Sequence, residues 1–175
     1  IKSIYLDEYG NMAVEYSTNG YKKIIGVYNK NGDTLSEIYL NSDAIVDISL
    51  IDKCSKVLVT KVISSSYSVG IQVVSYNLKD ENLAENEIAK IDDAYAFKVV
   101  NKKSEIILLC EDKIISINYN TKEQKTIKEF KESQIIFSDI AKNYYVMVES
   151  LLQDTNNLYK ISMNSYSGEE ITSVE

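Results

Sequence analysis

The sequence predicts an all-β, β-propeller-like protein built from about four four-stranded antiparallel blades. An apolar segment that ends in Asn occurs four times, and the asparagines follow one another at intervals of 48, 43 and 44 residues: Asn29, Asn77, Asn120 and Asn164. A period of about 45 residues is typical of propeller blades. Each repeat also holds short apolar runs separated by turn-forming residues, which indicates strands joined by hairpins.

The first repeat, residues 1–42, shows the pattern most clearly. Its apolar segments lie at 4–6, 12–16, 24–28 and 35–40. Asn19-Gly20 and Asn31-Gly32 separate consecutive segments, and this pair favours hairpin turns because both residues tolerate positive φ. Four strands with three turns are the content of one up-and-down blade.

The second repeat, residues 43–92, predicts strands at 45–51, 56–63 and 69–76 and a fourth that begins at Leu83. This last segment has a competing interpretation. Ala84, Ile88 and Ile91 have helical spacing, and Asp80 could cap a helix. We therefore predict a strand within 82–91 and keep a short helix as the alternative.

The third and fourth repeats, residues 93–132 and 133–175, complete a single domain of residues 1–175. Their strands are predicted at 96–100, 105–110, 113–119 and 126–130, then at 134–140, 144–149, 157–163 and 171–174. Second and third strands are nearly unbroken apolar runs, which indicates strands covered on both faces. Fourth strands are more polar, as an outer rim would be. A β-sandwich is the main competing fold, but it does not explain the repeat.

The composition excludes several classes of function. The chain has no His, and all 19 basic residues are Lys, so it lacks an imidazole base, an imidazole metal ligand and a guanidinium clamp for phosphate. A net charge of −7 opposes binding to nucleic acid. No apolar run approaches the ~18 residues of a membrane-spanning helix, which predicts no membrane span in this segment.

No group of residues stands out as a catalytic, cofactor-binding or metal site, and we predict none of the three and no cofactor. The acidic pairs do not form a dyad on a strand, because neighbouring side chains point to opposite faces; they are Asp80-Glu81, Asp92-Asp93 and Glu169-Glu170. Glu85 and Glu87 share a face but lie in a very polar segment. Asn29, Asn31 and Asp33 have the spacing of a calcium loop without its further carboxylates, so a structural turn is predicted.

The cysteines and tyrosines are interpreted mainly as packing residues. Cys54 and Cys110 lie at different phases of the repeat, which favours two free, buried thiols over one disulfide. Tyrosine recurs at one phase of the repeat, at Tyr28, Tyr76 and Tyr119, which predicts packing between blades. The candidates for an exposed, sugar-stacking surface are Tyr67, Tyr144 and Tyr166, and they lie in different repeats.

The segments 25–33 (IGVYNKNGD) and 73–78 (VVSYNL), together with the repeat spacing, resemble WD40-like and quinoprotein-like propellers. The chain resembles more closely a clostridial (Firmicutes) family of single-span membrane proteins with an extracytoplasmic propeller. The resemblance implies an extracytoplasmic location, and it implies no activity and no functional residues.

We therefore expect a non-catalytic, extracytoplasmic binding or scaffold domain, anchored to the membrane through a segment absent from this chain. Its partner would be a protein or a cell-surface ligand. The alternatives are a polysaccharide-acting enzyme that uses Asp and Glu at a propeller channel, and a cytosolic protein-interaction module. Four blades are the lower limit for a propeller. We also expect that the chain either self-associates through open blade faces, or is an arc of a larger propeller.

Overall fold

The computed structural model describes residues 1–18, 22–40, 44–64, 68–131, 133–140, 143–151 and 158–174. These residues form sixteen strands and no helix, so the described part of the chain holds no helix that could cross a membrane. The strands make four four-stranded antiparallel sheets, each with its strands in chain order. The predicted all-β, propeller-like fold is confirmed.

The first two sheets form one compact unit, Ile1–Lys90. The first sheet contains β1 (Ser3–Leu6), β2 (Met12–Ser17), β3 (Lys23–Tyr28) and β4 (Thr34–Leu40). The second contains β5 (Ala44–Ile51), β6 (Lys56–Ser64), β7 (Val69–Asn77) and β8 (Asn86–Ile91). The core of this unit lies between the sheets, where Ala13, Ile25 and Val27 pack with Val57 and Val59.

The other two sheets form a second compact unit, Ile91–Glu175. The third sheet contains β9 (Ala96–Lys102), β10 (Glu105–Cys110), β11 (Lys113–Asn118) and β12 (Gln124–Glu129). The fourth contains β13 (Ser133–Ile140), β14 (Tyr144–Leu151), β15 (Tyr159–Ser165) and β16 (Glu170–Val174). Ile107, Leu109 and Ile114 of the third sheet pack with Tyr145 and Met147 of the fourth.

The repeated turn after the third strand is real, but two of its four predicted positions are wrong. In the first sheet the Asn29 N–H donates to the Asp33 carbonyl, and the Gly32 N–H donates to the Asn29 carbonyl, each over 3.0 Å. Gly32 has φ +88°, which an L side chain rarely adopts. The Asn29 Oδ1 atom accepts from the N–H groups of Asn31 and Asp33, which closes the turn.

The fourth sheet has the same turn at Ser165, not at Asn164. The Ser165 N–H donates to the Glu169 carbonyl, the Gly168 N–H donates to the Ser165 carbonyl, and Gly168 has φ +89°. The Ser165 Oγ atom accepts from the Glu169 N–H, because a serine hydroxyl can replace the amide oxygen of Asn.

In the third sheet the turn residue is Asn118, not Asn120. Its Oδ1 atom accepts from the N–H groups of Asn120 and Thr121. The Asn77 Oδ1 atom likewise accepts from the Lys79 N–H, so that position was predicted correctly. The structural repeat is therefore anchored on Asn29, Asn77, Asn118 and Ser165.

The segment 82–91 contains a strand, and the helix alternative is wrong. The strand begins at Asn86 rather than at Leu83, because the connection after Asn77 makes two successive turns. The Asp80 N–H donates to the Asn77 carbonyl, and the Leu83 N–H donates to the Asp80 carbonyl. Leu83, at φ +43°, packs against the core, which holds the longer connection in place.

Burial separates inner from outer strands as the sequence predicted. Val59 on β6 and Leu108 on β10 are fully buried, and neighbouring residues on both faces of these strands are buried as well. The strand β16, by contrast, is exposed along its length. Continuous apolar runs therefore mark strands that are covered on both faces.

The turn residue allows the two faces of every sheet to be matched between sheets. Each sheet has one face that carries the residue immediately before the turn residue, and we call it the A face. In sheets one to four this residue is Tyr28, Tyr76, Ile117 and Asn164. The opposite face is the B face. In the first unit the B face of sheet one packs on the A face of sheet two. In the second unit the B face of sheet three packs on the A face of sheet four.

Candidate functional site

Three of the acidic residues considered from sequence bind partners within their own sheets. Glu85 accepts hydrogen bonds from Lys61 Nζ at 3.0 Å and from the Tyr76 hydroxyl at 2.6 Å. Glu87 accepts from Gln72. Glu170 accepts from Lys160 Nζ at 2.7 Å, which lowers the pKa of that carboxyl. Within the described ranges, no three His, Cys, Asp or Glu residues are arranged to hold a metal ion.

The calcium-like spacing at Asn29, Asn31 and Asp33 belongs to a hairpin turn, as predicted. Asn29 Nδ2 donates to Asp33 Oδ2 at 2.8 Å, while Asn29 Oδ1 binds backbone N–H groups. Asn29 Oδ1 and Asp33 Oδ2 are therefore engaged inside the turn. Their role here is to fix the hairpin between β3 and β4.

Both cysteines are free and buried, so the predicted pair of buried thiols is confirmed. Burial raises the pKa of the Cys110 thiol to about 12 and also raises that of Cys54. The thiolate is the reactive form of cysteine. Neither thiol is therefore a nucleophile near neutral pH.

The tyrosines follow the predicted packing role only in part. Tyr76 is buried between the first two sheets, as expected. Tyr119 follows its turn residue rather than preceding it, so it does not share the phase of Tyr28 and Tyr76. Tyr166 was expected to be exposed but is buried, with its ring 5.7 Å from that of Tyr145. Tyr144 is exposed, and Tyr67 lies outside the described residues.

The first unit contains a cluster of acids around a tyrosine. Glu15 is 2% exposed and accepts from Lys2 Nζ at 3.1 Å, while its Oε2 atom has no hydrogen-bond partner in the described part of the chain. The pKa of Tyr5 is raised, chiefly by burial and further by the charges of Asp47 and Glu15. Glu15 lies on the first sheet and Asp47 on the second, and with Tyr5 they are the nearest match to the acidic site of the enzyme alternative.

The A face of the first sheet is exposed and rich in tyrosine. The Tyr16 hydroxyl donates to Glu37 Oε1 at 2.9 Å, and the Tyr39 hydroxyl donates to Glu37 Oε2 at 2.8 Å. These bonds lower the pKa of Glu37, and the bond to Glu37 raises the pKa of Tyr16 to about 12. Ile4 and Leu6 are exposed beside them.

The same face has a close contact between a tyrosine and the backbone. The Tyr28 ring covers Gly26, where a Cβ atom would lie 2.7 to 3.0 Å from the phenol. Register places Leu6, Met12 and Tyr28 in one row across three strands. The face is therefore a continuous apolar and aromatic surface.

The B face of the fourth sheet is a second exposed apolar surface. Phe137, Val148, Ile161 and Val174 lie directly opposite one another across all four strands. Three of them are about half exposed, at 55% for Phe137, 47% for Ile161 and 63% for Val174. The next row adds Val146 and Met163, both half-buried. The sequence indicated that end blades would have open faces, but only register shows which side chains form them.

The A face of the fourth sheet carries buried polar groups. Tyr145 lies opposite Asn164, and Asn164 Nδ2 donates to Ser162 Oγ at 2.8 Å. The Tyr145 hydroxyl, Asn164 Oδ1 and Ser138 Oγ are buried without a hydrogen-bond partner in the described ranges. Burial, together with the nearby charge of Glu149, raises the pKa of Tyr145. This cluster lies inside the core of the second unit.

Comparison with known proteins identifies the fold of this chain but no family. No protein-family model and no curated protein sequence matches the chain. Prolyl oligopeptidase B from Galerina marginata, bound to a 35mer hydrolysis and macrocyclization substrate, is similar with a TM-score of 0.65 and 12% identity, over 98% of this chain and 26% of that one. Oligogalacturonate lyase in complex with manganese is similar with a TM-score of 0.61 and 9% identity, over 98% of this chain and 52% of that one.

These similar structures are β-propeller proteins. The chain spans about a quarter to a half of their length. At 9 to 12% identity the similarity establishes architecture alone. The protein is therefore a propeller-like series of four-stranded sheets that presents exposed apolar surfaces on its first and fourth sheets.

Proposed function

We propose that this chain is a non-catalytic binding or scaffold domain that binds protein through its two exposed sheet faces. The observation that carries the proposal is the row Phe137, Val148, Ile161 and Val174, which runs across the whole fourth sheet. Contiguous exposed apolar patches of several hundred Å² are uncommon on monomeric proteins and mark interaction sites.

The kind of partner is inferred from the way in which the protein covers similar apolar faces within its own two units. In the first unit, Ala13, Ile25 and Val27 on a B face pack against the A face of a second sheet. In the second unit, Ile107 and Leu109 on another B face do the same. We therefore propose that the occupant of each exposed face is another four-stranded sheet.

We further propose that the domain lies outside the cytoplasmic membrane and is tethered by a segment absent from this sequence. The resemblance of residues 25–33 and 73–78 to extracytoplasmic propellers supports this location. Protease added to intact cells that express the full gene product should cleave the domain. Complete protection until the cells are lysed would favour the cytosolic module instead.

The binding proposal can be tested by photo-crosslinking in cells of the source organism. A photoreactive phenylalanine analogue is placed at Phe137 or at Leu6, with Val69, an exposed apolar residue on the second sheet, as the matched control. We expect protein adducts at the two face positions and none at Val69. Adding Ile161→Asp should remove the adduct at Phe137. Equal labelling at all three positions, or none at any, would contradict the proposal.

The enzyme alternative is favoured by one observation, that the charges of Glu15 and Asp47 both raise the pKa of Tyr5 in the first unit. A pair of carboxylates is what glycoside cleavage requires. Purified chain should release no reducing ends from neutral or acidic polysaccharides. Product formation that is lost in both Glu15→Gln and Asp47→Asn would establish the enzyme and remove the non-catalytic assignment.

A further inference from the structure

The two exposed faces are of opposite kinds. The turn residues Asn29 and Ser165 have the same hydrogen bonds and therefore align the first sheet with the fourth. In this alignment the exposed face of the first sheet is an A face, and the exposed face of the fourth sheet is a B face. Both pairs of sheets within the two units join a B face to the A face of the following sheet.

We propose that copies of this chain associate head to tail, with the exposed B face of sheet four of one copy packed on the exposed A face of sheet one of the next. The proposal deepens the proposed function, on which it rests, by naming a second copy as the partner. The contact repeats the pairing rule that the chain itself uses twice. No other combination of its exposed faces would do so, because pairing a face with itself joins A to A or B to B.

Residue by residue, the alignment matches apolar positions on both sides of the proposed contact. On the B side, the positions of Ala13, Ile25 and Val27 in sheet one correspond to Val146, Ile161 and Met163 in sheet four. On the A side, the positions of Val57, Val59 and Tyr76 in sheet two correspond to Met12, Val14 and Tyr28 in sheet one. In each of these correspondences, an apolar side chain of a packed face matches an apolar side chain of an exposed face.

The charged residues on the two faces do not oppose this arrangement. Glu37 lies on β4, the last strand of its sheet, and its carboxylate already accepts two tyrosine hydroxyls. Asp139 lies on β13, the first strand of its sheet, with Lys98 Nζ at 3.7 Å. If strands stack in the same order, three strand spacings of about 4.8 Å separate the two acids. That distance exceeds a Debye length in physiological salt.

A head-to-tail contact is heterologous, so a bound pair keeps one free A face on one copy and one free B face on the other. Such contacts build rings when the rotation closes and open chains when it does not. A closed ring of two or more copies covers both faces of every copy, and an open chain leaves free faces at its ends to which further copies add. This property separates the proposal from a symmetric dimer, in which a single surface of each copy is used.

The test uses sedimentation of the purified chain over a range of concentrations, with folding checked by circular dichroism. Phe137→Asp alters the exposed B face of sheet four, and Leu6→Asp alters the exposed A face of sheet one. Val69→Asp adds the same charge at an exposed position of sheet two, outside both of these surfaces. We expect the wild type and Val69→Asp to associate as concentration rises, and both face variants to remain monomeric. Association that survives either face variant would overturn the proposal.

The decisive step mixes the two monomeric variants. Phe137→Asp keeps an intact A face and Leu6→Asp keeps an intact B face, so a 1:1 mixture should form a heterodimer and nothing larger. A mixture that stays monomeric would contradict head-to-tail pairing. A wild type that is monomeric throughout would also overturn it. If Phe137 and Leu6 still crosslink to a different protein in cells, the binding function stands and only the self-association fails.

Discussion

At the scale of single residues, three consecutive residues have an unusual backbone conformation. Asp52, Lys53 and Cys54, between β5 and β6, have φ values of +51°, +56° and +61°. The left-handed region costs an L residue about 1–2 kcal/mol. Asp52 is of a type that enters this region more readily than most, but Lys53 and Cys54 do not signal it. The adjacent strands β5 and β6, whose core residues are fully buried, hold the segment in place.

Lys53→Gly tests this strain directly. Glycine removes the steric cost but adds about 0.5–1 kcal/mol of unfolded-state entropy. We expect the free energy of unfolding to rise by about 0.5–1 kcal/mol in urea melts. Lys30→Gly, in a turn where φ is not positive, is the matched control and should destabilise. A loss of stability for Lys53→Gly as large as that of the control would show that residue 53 is unstrained.

The buried Tyr145 hydroxyl gives a second prediction. It lacks a hydrogen-bond partner in the described ranges, so Tyr145→Phe should leave stability unchanged or raise it by about 1 kcal/mol at pH 7. The pKa of Tyr145 is raised in the folded state. Above the unfolded pKa of about 10, the unfolded chain loses the proton while the folded chain keeps it, so stability falls.

Urea melts of the wild type and Tyr145→Phe at pH 7 and above pH 10 measure this difference. We expect the advantage of the variant to grow with pH in that alkaline window. A variant that is clearly less stable at pH 7 would instead indicate a hydrogen bond to the hydroxyl, for instance from an internal water molecule.

At the scale of elements, apolar runs and turn residues predicted where the strands lie. They did not predict the connections of unusual length. Asn31-Gly32 predicted the β3–β4 turn correctly, since local chemistry decides it. The start of β8 was missed because Leu83 is apolar yet belongs to the connection. Ser165 was missed as a turn residue because its neighbour Asn164 is the residue type found at this turn position in the other repeats.

Inner and outer strands should differ sharply in their contribution to stability. Leu108 on β10 is fully buried, so Leu108→Ala should cost about 2–5 kcal/mol. Lys125, exposed on β12, is the control, and Lys125→Ala should change stability by less than about 0.5 kcal/mol. Chemical denaturation measures both. Similar losses for the two variants would mean that β10 is not an inner strand.

At the scale of the whole chain, the repeat predicted four sheets, and the residues that the structure describes form four. The candidate site was less predictable. Exposed end faces were expected from the blade count, but Phe137, Ile161 and Val174 form one row only because of the strand register and a bulge after Ile135. The Tyr16–Glu37–Tyr39 contacts also depend on register, which the sequence does not encode locally.

Thiol labelling tests most directly the claim that these two faces bind each other in separate copies of the chain. Cysteine is introduced at Leu6, Phe137 or Val69 in separate chains, where the buried native thiols of Cys54 and Cys110 react slowly. The rate of maleimide labelling is then measured as protein concentration rises. We predict that Leu6→Cys and Phe137→Cys become progressively protected while Val69→Cys keeps a constant rate. Rates independent of concentration at both face positions would contradict the account.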